Sequence, residues 1–413
     1  MSKKILIISY TFPPSNKIGG RRWVKFAKYF VKNNNDVRVI TSKNKYMSGW
    51  LKDYDYLKTR ITEMSFNYPF YLGINPKNLG QKILYRLHLI WSKLNTSGNF
   101  YDKAIHGEKE LIKKTRSFIN KGYNNVIVTV APFHLATHIS KIISDYPQCN
   151  FIVDFRDPWI NNRSAYGFHS LPKNRQLFEK FSEQKVIEDF NCIITVSEYL
   201  SDELRLRYPK NAYKVHTINN GYDPEEIDLN IKPSHITSDL INIVLVGTLY
   251  DNAIKYFNHF NTLLEQLKES DSDIYDKLIV NIYGSFNMRN ASNCIRFNGH
   301  IDSTKINNAI INSDACLLFL SDDINFSFNT KFCEYIARKK PILIFSNNGP
   351  TAQYILKNNL GVPLSLKTKV EEFSHIISEV INKKNINYDK FDDRHFQIPN
   401  LSNDILNLLN SLD

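Results

Sequence analysis

The segment that says most about this chain reads Asn329-Thr-Lys-Phe-Cys-Glu-Tyr-Ile-Ala-Arg-Lys-Lys-Pro341. It follows an apolar run, Ala315-Cys-Leu-Leu-Phe-Leu320, and an acidic loop, and it precedes a second apolar run, Ile342-Leu-Ile-Phe345. Short apolar runs bounded by loops are typical of buried strands in parallel sheets. The pattern therefore predicts a strand–loop–helix–strand unit whose short helix begins near Asn329.

The start of this helix has the features of an anion site. A helix N-terminus presents unpaired backbone N–H groups and the positive end of the helix dipole, which suits a phosphate. Lys331 adds a positive charge in the first turn, and Glu334 lies three residues further on, on nearly the same face. Because a carboxylate can accept hydrogen bonds from both hydroxyls of a ribose, the pair suits a sugar nucleotide. An ordinary helix with a solvated ion pair explains the segment equally well.

Strand-like apolar runs alternate with helical patterns in both halves of the chain. The runs lie at Ile5–Tyr10, Val37–Thr41, Val126–Val130, Phe151–Phe155, Cys192–Val196, Ile241–Val246, Leu278–Ile282, Ile295–Phe297, Ala315–Leu320 and Ile342–Phe345. This alternation predicts an α/β fold with two doubly wound, Rossmann-like domains, each built on a parallel sheet covered by helices. Ligands bind beyond the carboxyl ends of such strands, so we expect the two domains to face an interdomain cleft.

The predicted domain boundaries follow the breaks in this alternation. With 413 residues the chain is too long for one core of ordinary size. The N-terminal domain is predicted at 1–225, with an insertion at about 44–120 that shows no clear strand. A polar linker at 226–239 leads to a C-terminal domain at 240–395. A helical segment at 396–413 ends the chain, and packing back on the N-terminal domain is one arrangement open to it.

The insertion contains one apolar stripe at helical spacing. The stripe consists of Ile83, Leu84, Leu87, Ile90, Trp91 and Leu94. Lys82, Arg86 and Lys93 lie off the stripe. A basic amphipathic helix can rest on an anionic membrane surface. A helix that packs its stripe into the core has the same pattern, and the pattern alone favours this second interpretation.

Net charge and the number and spacing of cysteines indicate the kind of partner and the cellular compartment. The 53 Lys and Arg outnumber the 41 Asp and Glu by 12, which favours an anionic partner. The basic residues are dispersed and form no recognised nucleic-acid module, so we expect no nucleic-acid partner. Five scattered cysteines without a Cys-x-x-Cys pair indicate reduced thiols, and no apolar run approaches a membrane-spanning length. The N-terminus shows no signal-peptide pattern. These features predict a cytoplasmic protein.

Polar and aromatic residues follow the predicted strand at Phe151–Phe155, in the segment Asp154-Phe-Arg-Asp-Pro-Trp159. Arg156 can hold a phosphate or a carboxylate through two hydrogen bonds, and Asp157 lies beside it. Trp159 can stack on a sugar or close the site. Local ion pairing and packing at the domain rim would explain the same residues. Their position at the carboxyl end of a strand favours a functional role.

Small residues and histidines lie near the same predicted edge. Gly19 and Gly20 precede the first helix, while Gly247 with Thr248, and Gly284, follow two strands of the second half. Glycines let a backbone approach a ligand closely, but ordinary turns need them too and no phosphate-loop signature is present. His134 lies near the expected cleft, where it could contact a substrate. His134 and His138 lack the glutamate of a zinc-protease motif, so no metal site is predicted.

Six stretches, taken in order, resemble glycosyltransferase family 4, whose members have the GT-B fold. They are the Pro-Pro…Gly19-Gly20 loop with Arg22, Asp154–Trp159, Ile194–Glu198, Ile218–Asp223, Gly247–Tyr250, and Thr330–Ala337 followed by Lys340-Pro341. The resemblance covers nearly the whole chain apart from the insertion. It implies a hexosyltransferase with a nucleotide-sugar donor held mainly by the C-terminal domain and an acceptor held mainly by the N-terminal domain. It also implies retention at the anomeric carbon and neither a required metal nor another cofactor.

The resemblance also assigns roles to residues. Lys331 with the helix N-terminus would hold the diphosphate, and Glu334 would bind the ribose. The implied donor-binding residues are Gly19, Gly20, Gly247, Thr248, Gly284, Asn329, Thr330, Lys331 and Glu334. The implied acceptor-binding residues are Arg22 and Trp159, and the catalytic candidates are Arg156, Asp157 and His134.

This chain departs from the family pattern at three places. The first position of the paired-glutamate motif is Phe326, so only Glu334 remains. Thr248 follows Gly247 where arginine and lysine are common, and the nearest lysine is Lys255. Val130-Ala-Pro132 stands where many members carry a histidine. Arg156 and Arg163 are candidates to supply the missing charge.

The pattern suits the branch of the family that builds bacterial surface polysaccharides such as capsule, O-antigen or lipid-linked oligosaccharide. The acceptor would be a growing glycan or a lipid-linked glycan, and the positive charge fits peripheral contact with the anionic inner face of the membrane. A nucleotide-sugar 2-epimerase on the same fold is an alternative that needs no acceptor. A non-catalytic nucleotide-sugar or glycan-binding protein is another.

Overall fold

The computed structural model describes most of the chain. The described residues are 2–13, 15, 18–43, 55–161, 167–227, 240–247, 249, 253–286, 288, 290–301, 303–320, 328–346, 349–381, 388 and 390–412. They form two compact units: the first comprises Met1–Asn219 with Leu401–Asp413, and the second comprises Asn220–Asn400. Most of the predicted linker, 228–239, and the first part of the predicted insertion, 44–54, lie outside the described residues.

The first unit contains a seven-stranded sheet in which every strand pair is parallel. Its strands are β1 Lys4–Ser9, β2 Asp36–Ser42, β3 Ile61–Met64, β4 Asn125–Val130, β5 Asn150–Phe155, β6 Cys192–Thr195 and β7 Val215–Thr217. Their order is β3-β2-β1-β4-β5-β6-β7. Every residue of the central strands β4 and β5 is buried, as expected when helices cover both faces of a sheet.

Seven helices of the described residues connect these strands. They are α1 Arg21–Lys32, α2 Asp55–Lys58, α3 Leu79–Asn95, α4 Glu108–Ile119, α5 His134–Ser140, α6 Lys173–Asp189 and α7 Glu198–Arg207. The strand order reverses between β1 and β4. Such a switch point is where doubly wound sheets bind ligands beyond the strand ends. The first helix, predicted to follow Gly19 and Gly20, is confirmed as α1.

The second unit repeats this architecture with six parallel strands. They are β8 Ile241–Val246, β9 Leu278–Tyr283, β10 Ile295–Gly299, β11 Ala315–Phe319, β12 Ile342–Phe345 and β13 Gly361–Leu364, in the order β10-β9-β8-β11-β12-β13. The helices are α8 Ile254–Ser270, α9 Ser272–Tyr275, α10 Ser303–Ile311, α11 Thr330–Ala337, α12 Pro350–Lys357 and α13 Val370–Ile381. The switch point lies between β8 and β11. Two doubly wound parallel-sheet domains are therefore confirmed.

The last helix, α14, spans Ile398–Leu412 and crosses the boundary between the units. From Leu401 onward it belongs to the first unit. There the Asn33 side chain, just after α1, donates to the Asn403 side chain at 3.1 Å, and the Lys3 ammonium lies 3.5 Å from the Leu409 carbonyl oxygen.

Two sequence predictions about the insertion are wrong. It contains a strand, β3, which pairs with β2 at the sheet edge. Only Met64 of its four residues is buried, so the apolar run that marks a central strand is missing. Helix α3 does not bury its apolar stripe in the core, because all six stripe residues are exposed. No helix among the described residues is both long and apolar enough to cross a bilayer.

Candidate functional site

In the second unit, the ends of β8 and β9 meet the first turn of α11. Gly247 follows β8 with φ +100°, a backbone conformation that side chains other than glycine rarely adopt. A Cβ atom at Gly247 would lie 2.7 Å from Lys331 Cε, and one at Gly284 would lie 2.5 Å from the Gly247 carbonyl oxygen. These three predicted donor-binding residues are therefore close-packed at the carboxyl edge of the sheet, and both glycines are needed for that packing.

The start of α11 is fixed by side-chain hydrogen bonds. The Asn329 side chain accepts from the Phe332 backbone N–H at 2.8 Å, which is the N-cap interaction that stabilises a helix start. The Asn220 side chain donates to the Phe328 carbonyl oxygen at 2.9 Å. The predicted helix start is confirmed, with Thr330 as its first residue. Asn329 therefore caps the helix. The side chain predicted to contact the donor is the one that makes this capping hydrogen bond.

Lys331 supplies the charge at this edge. Lys331 as a whole residue is partly exposed, but burial of its ammonium group lowers the pKa of Lys331 to about 8. The ammonium group is thus charged at neutral pH but close enough to its pKa to titrate within a mildly alkaline range. A bound diphosphate would favour the charged form.

Glu334 has a partner that the sequence interpretation did not consider. Its Oε2 atom lies 2.6 Å from a guanidinium nitrogen of Arg338, which also donates to the Glu334 carbonyl oxygen at 2.8 Å. The Arg338 Nε–H donates to the Asn307 side chain at 2.7 Å, and Arg338 is buried. The Glu–Arg spacing of four residues was the available signal for this pair. Arg338 thus fixes the orientation of the carboxylate that we predict to bind ribose.

Three residues discussed in the sequence analysis lie outside the described residues. They are Thr248, the predicted donor-binding residue after Gly247, Phe326 and Arg163. Among the residues that the structure does describe, no group of three or more His, Cys, Asp or Glu side chains could hold a metal ion.

In the first unit, Arg156 joins the end of β5 to the loop before α1. Its guanidinium donates to the Gly19 carbonyl oxygen at 2.9 Å and to Asp157 through two nitrogens, each 3.2 Å from Oδ2. A Cβ atom at Gly19 would lie 2.5 Å from the guanidinium, so a larger residue there would require the Arg156 side chain to shift. Both Arg156 and Asp157 are partly exposed at the carboxyl edge of the sheet. The structure therefore brings together three of the predicted site residues.

Arg22 is tied into the interior of the first unit. It is buried and donates to the carbonyl oxygens of Ile218 at 2.7 Å and Asn219 at 2.6 Å. Its guanidinium also lies 3.4 Å from the buried Asp154 carboxylate, which accepts from the Trp23 indole N–H at 2.6 Å. Gly20, just before α1, would place a Cβ atom 2.5 Å from the Thr11 carbonyl oxygen. These contacts give Arg22, predicted to bind the acceptor, a structural role in the first unit.

His134 and Trp159 share one buried partner, Glu179. The His134 Nε2 atom lies 2.9 Å from Glu179 Oε1, and the Trp159 indole N–H donates to Oε2 at 2.7 Å. The Asn99 backbone N–H donates to Oε1 at 2.6 Å. All three side chains of this cluster, His134, Trp159 and Glu179, are buried. The structure therefore does not place His134 or Trp159 where the sequence interpretation expected them, open to a substrate.

The charges of this cluster follow from its contacts. Burial disfavours the imidazolium, but the Glu179 carboxylate outweighs that effect and raises the pKa of His134 to about 9. Burial likewise acts to raise the pKa of Glu179, but the His134 charge and three hydrogen bonds hold that pKa below its ordinary value. The cluster is a buried ion pair at neutral pH. Sequence reasoning missed Glu179, because the amphipathic pattern that would mark a buried side of α6 is almost absent from its sequence.

Comparisons with known proteins identify the fold. Neither a protein-family model nor a curated protein matches the sequence significantly. A glycosyltransferase from Rickettsia africae aligns with a TM-score of 0.62 at 16% identity, covering 99% of this chain and 98% of that one. Anabaena Alr3699/HepE in complex with UDP and glucose aligns with a TM-score of 0.60 at 12% identity, covering 99% and 100%.

An epimerase has the same architecture. The UDP-GlcNAc 2-epimerase from Methanocaldococcus jannaschii aligns with a TM-score of 0.56 at 12% identity, over the full length of both chains. At such identities the likeness establishes the fold alone. The chain therefore has the two-domain GT-B fold that glycosyltransferases and this nucleotide-sugar epimerase share.

Proposed function

We propose that this protein is a retaining glycosyltransferase of the hexosyltransferase type that uses a nucleotide-sugar donor. The observation that carries the proposal is the packing of Gly247, Gly284 and Lys331 at the carboxyl edge of the second sheet, beside the start of α11. Backbone without side chains that a ligand can approach closely, a lysine and a helix N-terminus together favour the binding of a diphosphate. Complexes of Anabaena Alr3699/HepE with UDP and with UDP-glucose support a uridine nucleotide as the first donor to test.

In this proposal the second unit holds the donor. Lys331 and the first turn of α11, including Thr330, neutralise the diphosphate, while Glu334, oriented by Arg338, accepts hydrogen bonds from the ribose. The positive charge at the diphosphate comes from the protein, so the proposed reaction uses no bound metal. Breaking the bond between the sugar and the diphosphate leaves negative charge on the departing nucleotide, which Lys331 stabilises.

In the first unit, Arg156 and Asp157 remain the catalytic candidates. Both are partly exposed at the carboxyl edge of the sheet, and the guanidinium fixes the carboxylate beside Gly19. Arg156 suits a phosphate or a sugar carboxylate, and Asp157 suits a sugar hydroxyl. His134, Trp159 and Arg22 act indirectly in this proposal, because each is buried and held by protein partners. They position the strand ends and loops that carry Arg156 and Asp157.

The acceptor in this proposal is a glycan or lipid-linked glycan of bacterial cell-surface polysaccharide synthesis. That setting rests on the resemblance to glycosyltransferase family 4 and on the charge balance of +12. The protein would work in the cytoplasm and contact the inner face of the membrane, since a lipid-linked acceptor is held there.

A nucleotide-sugar 2-epimerase is the second candidate, favoured by the structural likeness to the Methanocaldococcus enzyme. The two reactions differ in their products. Transfer or hydrolysis breaks the bond between sugar and nucleotide and releases the free nucleotide, whereas epimerisation leaves the sugar on the nucleotide with one inverted carbon. Product analysis without any acceptor therefore separates the two functions.

The deciding experiment is binding and turnover of a panel of nucleotide sugars by the purified protein, with EDTA present. We expect one donor, most simply a UDP-sugar, to bind and to release its nucleotide slowly. Lys331→Ala should weaken donor binding by roughly tenfold to a hundredfold because a charge-assisted contact to phosphate is lost. Glu334→Ala should weaken binding through the lost ribose contacts, with an effect of about tenfold or more.

Lys357→Ala is the matched control, because Lys357 is an exposed lysine at the end of α12 in the same unit. It should bind the donor like the unmodified protein. If no nucleotide sugar binds, or if the Lys331 and Glu334 variants bind as well as the control, the donor-site assignment is wrong. If turnover requires a divalent cation, the proposal that the protein alone neutralises the diphosphate is wrong.

Donor binding should also depend on pH through Lys331. The lysine is charged below its pKa of about 8, so UDP binding should be strongest below pH 8 and weaken as the pH rises through that value. At pH 9 we expect roughly tenfold weaker binding if the charge is essential, since only about a tenth of the free lysine remains protonated. Lys331→Arg should bind equally at both pH values. Calorimetric titration with UDP measures the binding of the unmodified protein and of Lys331→Arg at each pH. Identical pH profiles for these two proteins would contradict this role of Lys331.

A further inference from the structure

Helix α3 turns its apolar side outward. Seven large apolar side chains on it are exposed, by between 37% for Leu84 and 81% for Leu94; the others are Leu79, Ile83, Leu87, Ile90 and Trp91. At 100° per residue they fall within an arc of roughly 140°. The opposite side, with Tyr85, His88 and Ser92, is partly or fully buried. A surface helix of a globular domain normally shows the reverse arrangement, so the outer face of α3 suits an apolar partner.

Polar contacts hold α3 in this orientation. The His88 Nδ1 atom accepts from the Tyr71 backbone N–H at 3.3 Å. The Ser92 hydroxyl lies 3.2 Å from His106 Nε2 and 3.5 Å from the Phe100 carbonyl oxygen. The inner face is therefore attached through hydrogen bonds, and the apolar side chains are left for another contact.

Helix α3 is joined to the start of α6. The Arg175 guanidinium donates to the carbonyl oxygens of Lys93 and Gly98, each at 2.6 Å. A Cβ atom at Gly98 would overlap the buried Glu179 carboxylate, so the chain after α3 is closely packed on α6. Three large apolar side chains of α6 are exposed as well: Leu177, Phe178 and Phe181. Helices α3 and α6 are thus held together by hydrogen bonds, and both have exposed apolar side chains.

The sequence segment that contains α3 carries charges of one sign. Residues 65–101 contain four basic residues, Lys77, Lys82, Arg86 and Lys93, and no Asp or Glu. At 100° per residue, the three basic residues within α3 fall along one edge of the apolar arc. A second copy on the same face would bring these basic edges together without acidic partners in this segment, which disfavours self-association. A bilayer with anionic lipid offers acyl chains to the apolar face and phosphate groups to the basic edge.

We propose that α3, with the adjoining start of α6, is a membrane-binding surface that lies on a bilayer rich in anionic phospholipid. Its apolar face enters the boundary between headgroups and acyl chains, and Lys82, Arg86 and Lys93 meet the headgroups. The inference deepens the proposed function, on which its link to a lipid-held acceptor rests. Binding of the surface to lipid itself needs no nucleotide sugar.

The test is co-sedimentation of the full chain with vesicles of phosphatidylcholine alone or mixed with phosphatidylglycerol. We expect at least tenfold stronger binding to the mixed vesicles, because each basic residue near an anionic surface adds to the attraction. Trp91 lies on the exposed face, so its fluorescence emission should shift to shorter wavelength on binding. Trp91→Phe should remove that shift.

Surface variants identify the face that binds. Leu87→Glu with Ile90→Glu should weaken binding to mixed vesicles at least tenfold, since both side chains are 55% exposed and belong to the apolar arc. Lys82→Glu with Arg86→Glu should remove the preference for anionic lipid. Leu206→Glu is the control, because Leu206 is 83% exposed on α7 and should leave binding unchanged. UDP binding and thermal unfolding should be the same in all variants, which separates this test from that of the proposed function.

Three results would overturn the proposal. The first is absence of binding to anionic vesicles by the unmodified chain. The second is equally strong binding by the Leu87 and Ile90 double variant. The third is a concentration-dependent dimer that the same double variant abolishes, because the face would then serve a second copy of the chain.

Discussion

Glu179→Ala is expected to lower the free energy of unfolding of the first unit by about 3–5 kcal/mol. The carboxylate is buried and bonded to the His134 imidazole, the Trp159 indole N–H and the Asn99 backbone N–H. Removing it leaves an imidazolium without its counter-charge and two buried N–H groups without their acceptor. The measurement is urea denaturation followed by tryptophan fluorescence. All four tryptophans, Trp23, Trp50, Trp91 and Trp159, lie within residues 1–219, so the signal reports the first unit.

The pH dependence of the Glu179 effect is distinctive. The raised pKa of His134 makes its stabilising contribution complete below pH 6.5 and lost as the pH rises through about 9. The lowered pKa of Glu179 makes its contribution complete above pH 4.5 and lost as the pH falls through the lower value in the folded protein. Glu179→Gln, which keeps the acceptor oxygen but not the charge, should therefore differ most from the unmodified protein between pH 4.5 and 6.5.

Glu188→Ala is the matched control on the same helix. Glu188 is exposed and accepts a hydrogen bond from the Gln184 side chain, so its loss should cost less than about 1 kcal/mol. Equal costs for the Glu179 and Glu188 variants would contradict the buried ion pair. A gap between Glu179→Gln and the unmodified protein that does not shrink above pH 9 would contradict the charge assignment.

Asp154→Ala is expected to lower the free energy of unfolding of the first unit by about 3–5 kcal/mol. Asp154 is buried beneath α1, where it faces the Arg22 guanidinium and accepts from the Trp23 indole. Its removal takes the carboxylate away from a buried guanidinium, which also donates to the neutral carbonyl oxygens of Ile218 and Asn219. Urea denaturation followed by tryptophan fluorescence measures the loss.

Two variants test the cause of the Asp154 effect. Asp154→Asn keeps an acceptor for Trp23 but removes the charge, so it should be less destabilising than alanine. Asp145→Ala removes an exposed carboxylate whose partner, Arg116, is also exposed, and should cost less than about 1 kcal/mol. If Asp154→Ala costs no more than Asp145→Ala, the buried contacts do not stabilise α1 on the sheet.

Most of the strands were predictable because their residues carry the signal themselves. Each predicted strand is a short apolar run, and burial on both faces of a parallel sheet requires such a run. The strands that were missed, β3, β7 and β13, have three or four residues, and all three lie at sheet edges. One of them contains Pro363, which an edge position tolerates. A short strand at a sheet edge needs few apolar residues, so its sequence lacks the apolar run by which the other strands were predicted.

The candidate site was predictable in part, for a related reason. The positions after strand ends follow from the strand pattern, so Gly247, Gly284 and the start of α11 could be placed at one edge. The partners of the charged residues could not. Glu334 is held by Arg338, and His134 is held by a carboxylate 45 residues away. Such pairings depend on which helices pack side by side, and no local spacing records that.

The sequence alone was enough to predict ten of the thirteen described strands, the parallel arrangement of both sheets, and the position of the helix that begins after Asn329. The tertiary structure alone decided which polar side chains are exposed at the sheet edges and which are buried as ion pairs. It also decided the direction of the apolar side of α3. Helical spacing shows that a helix has an apolar side, but the neighbours that cover the other side decide whether that side faces the core or the surroundings.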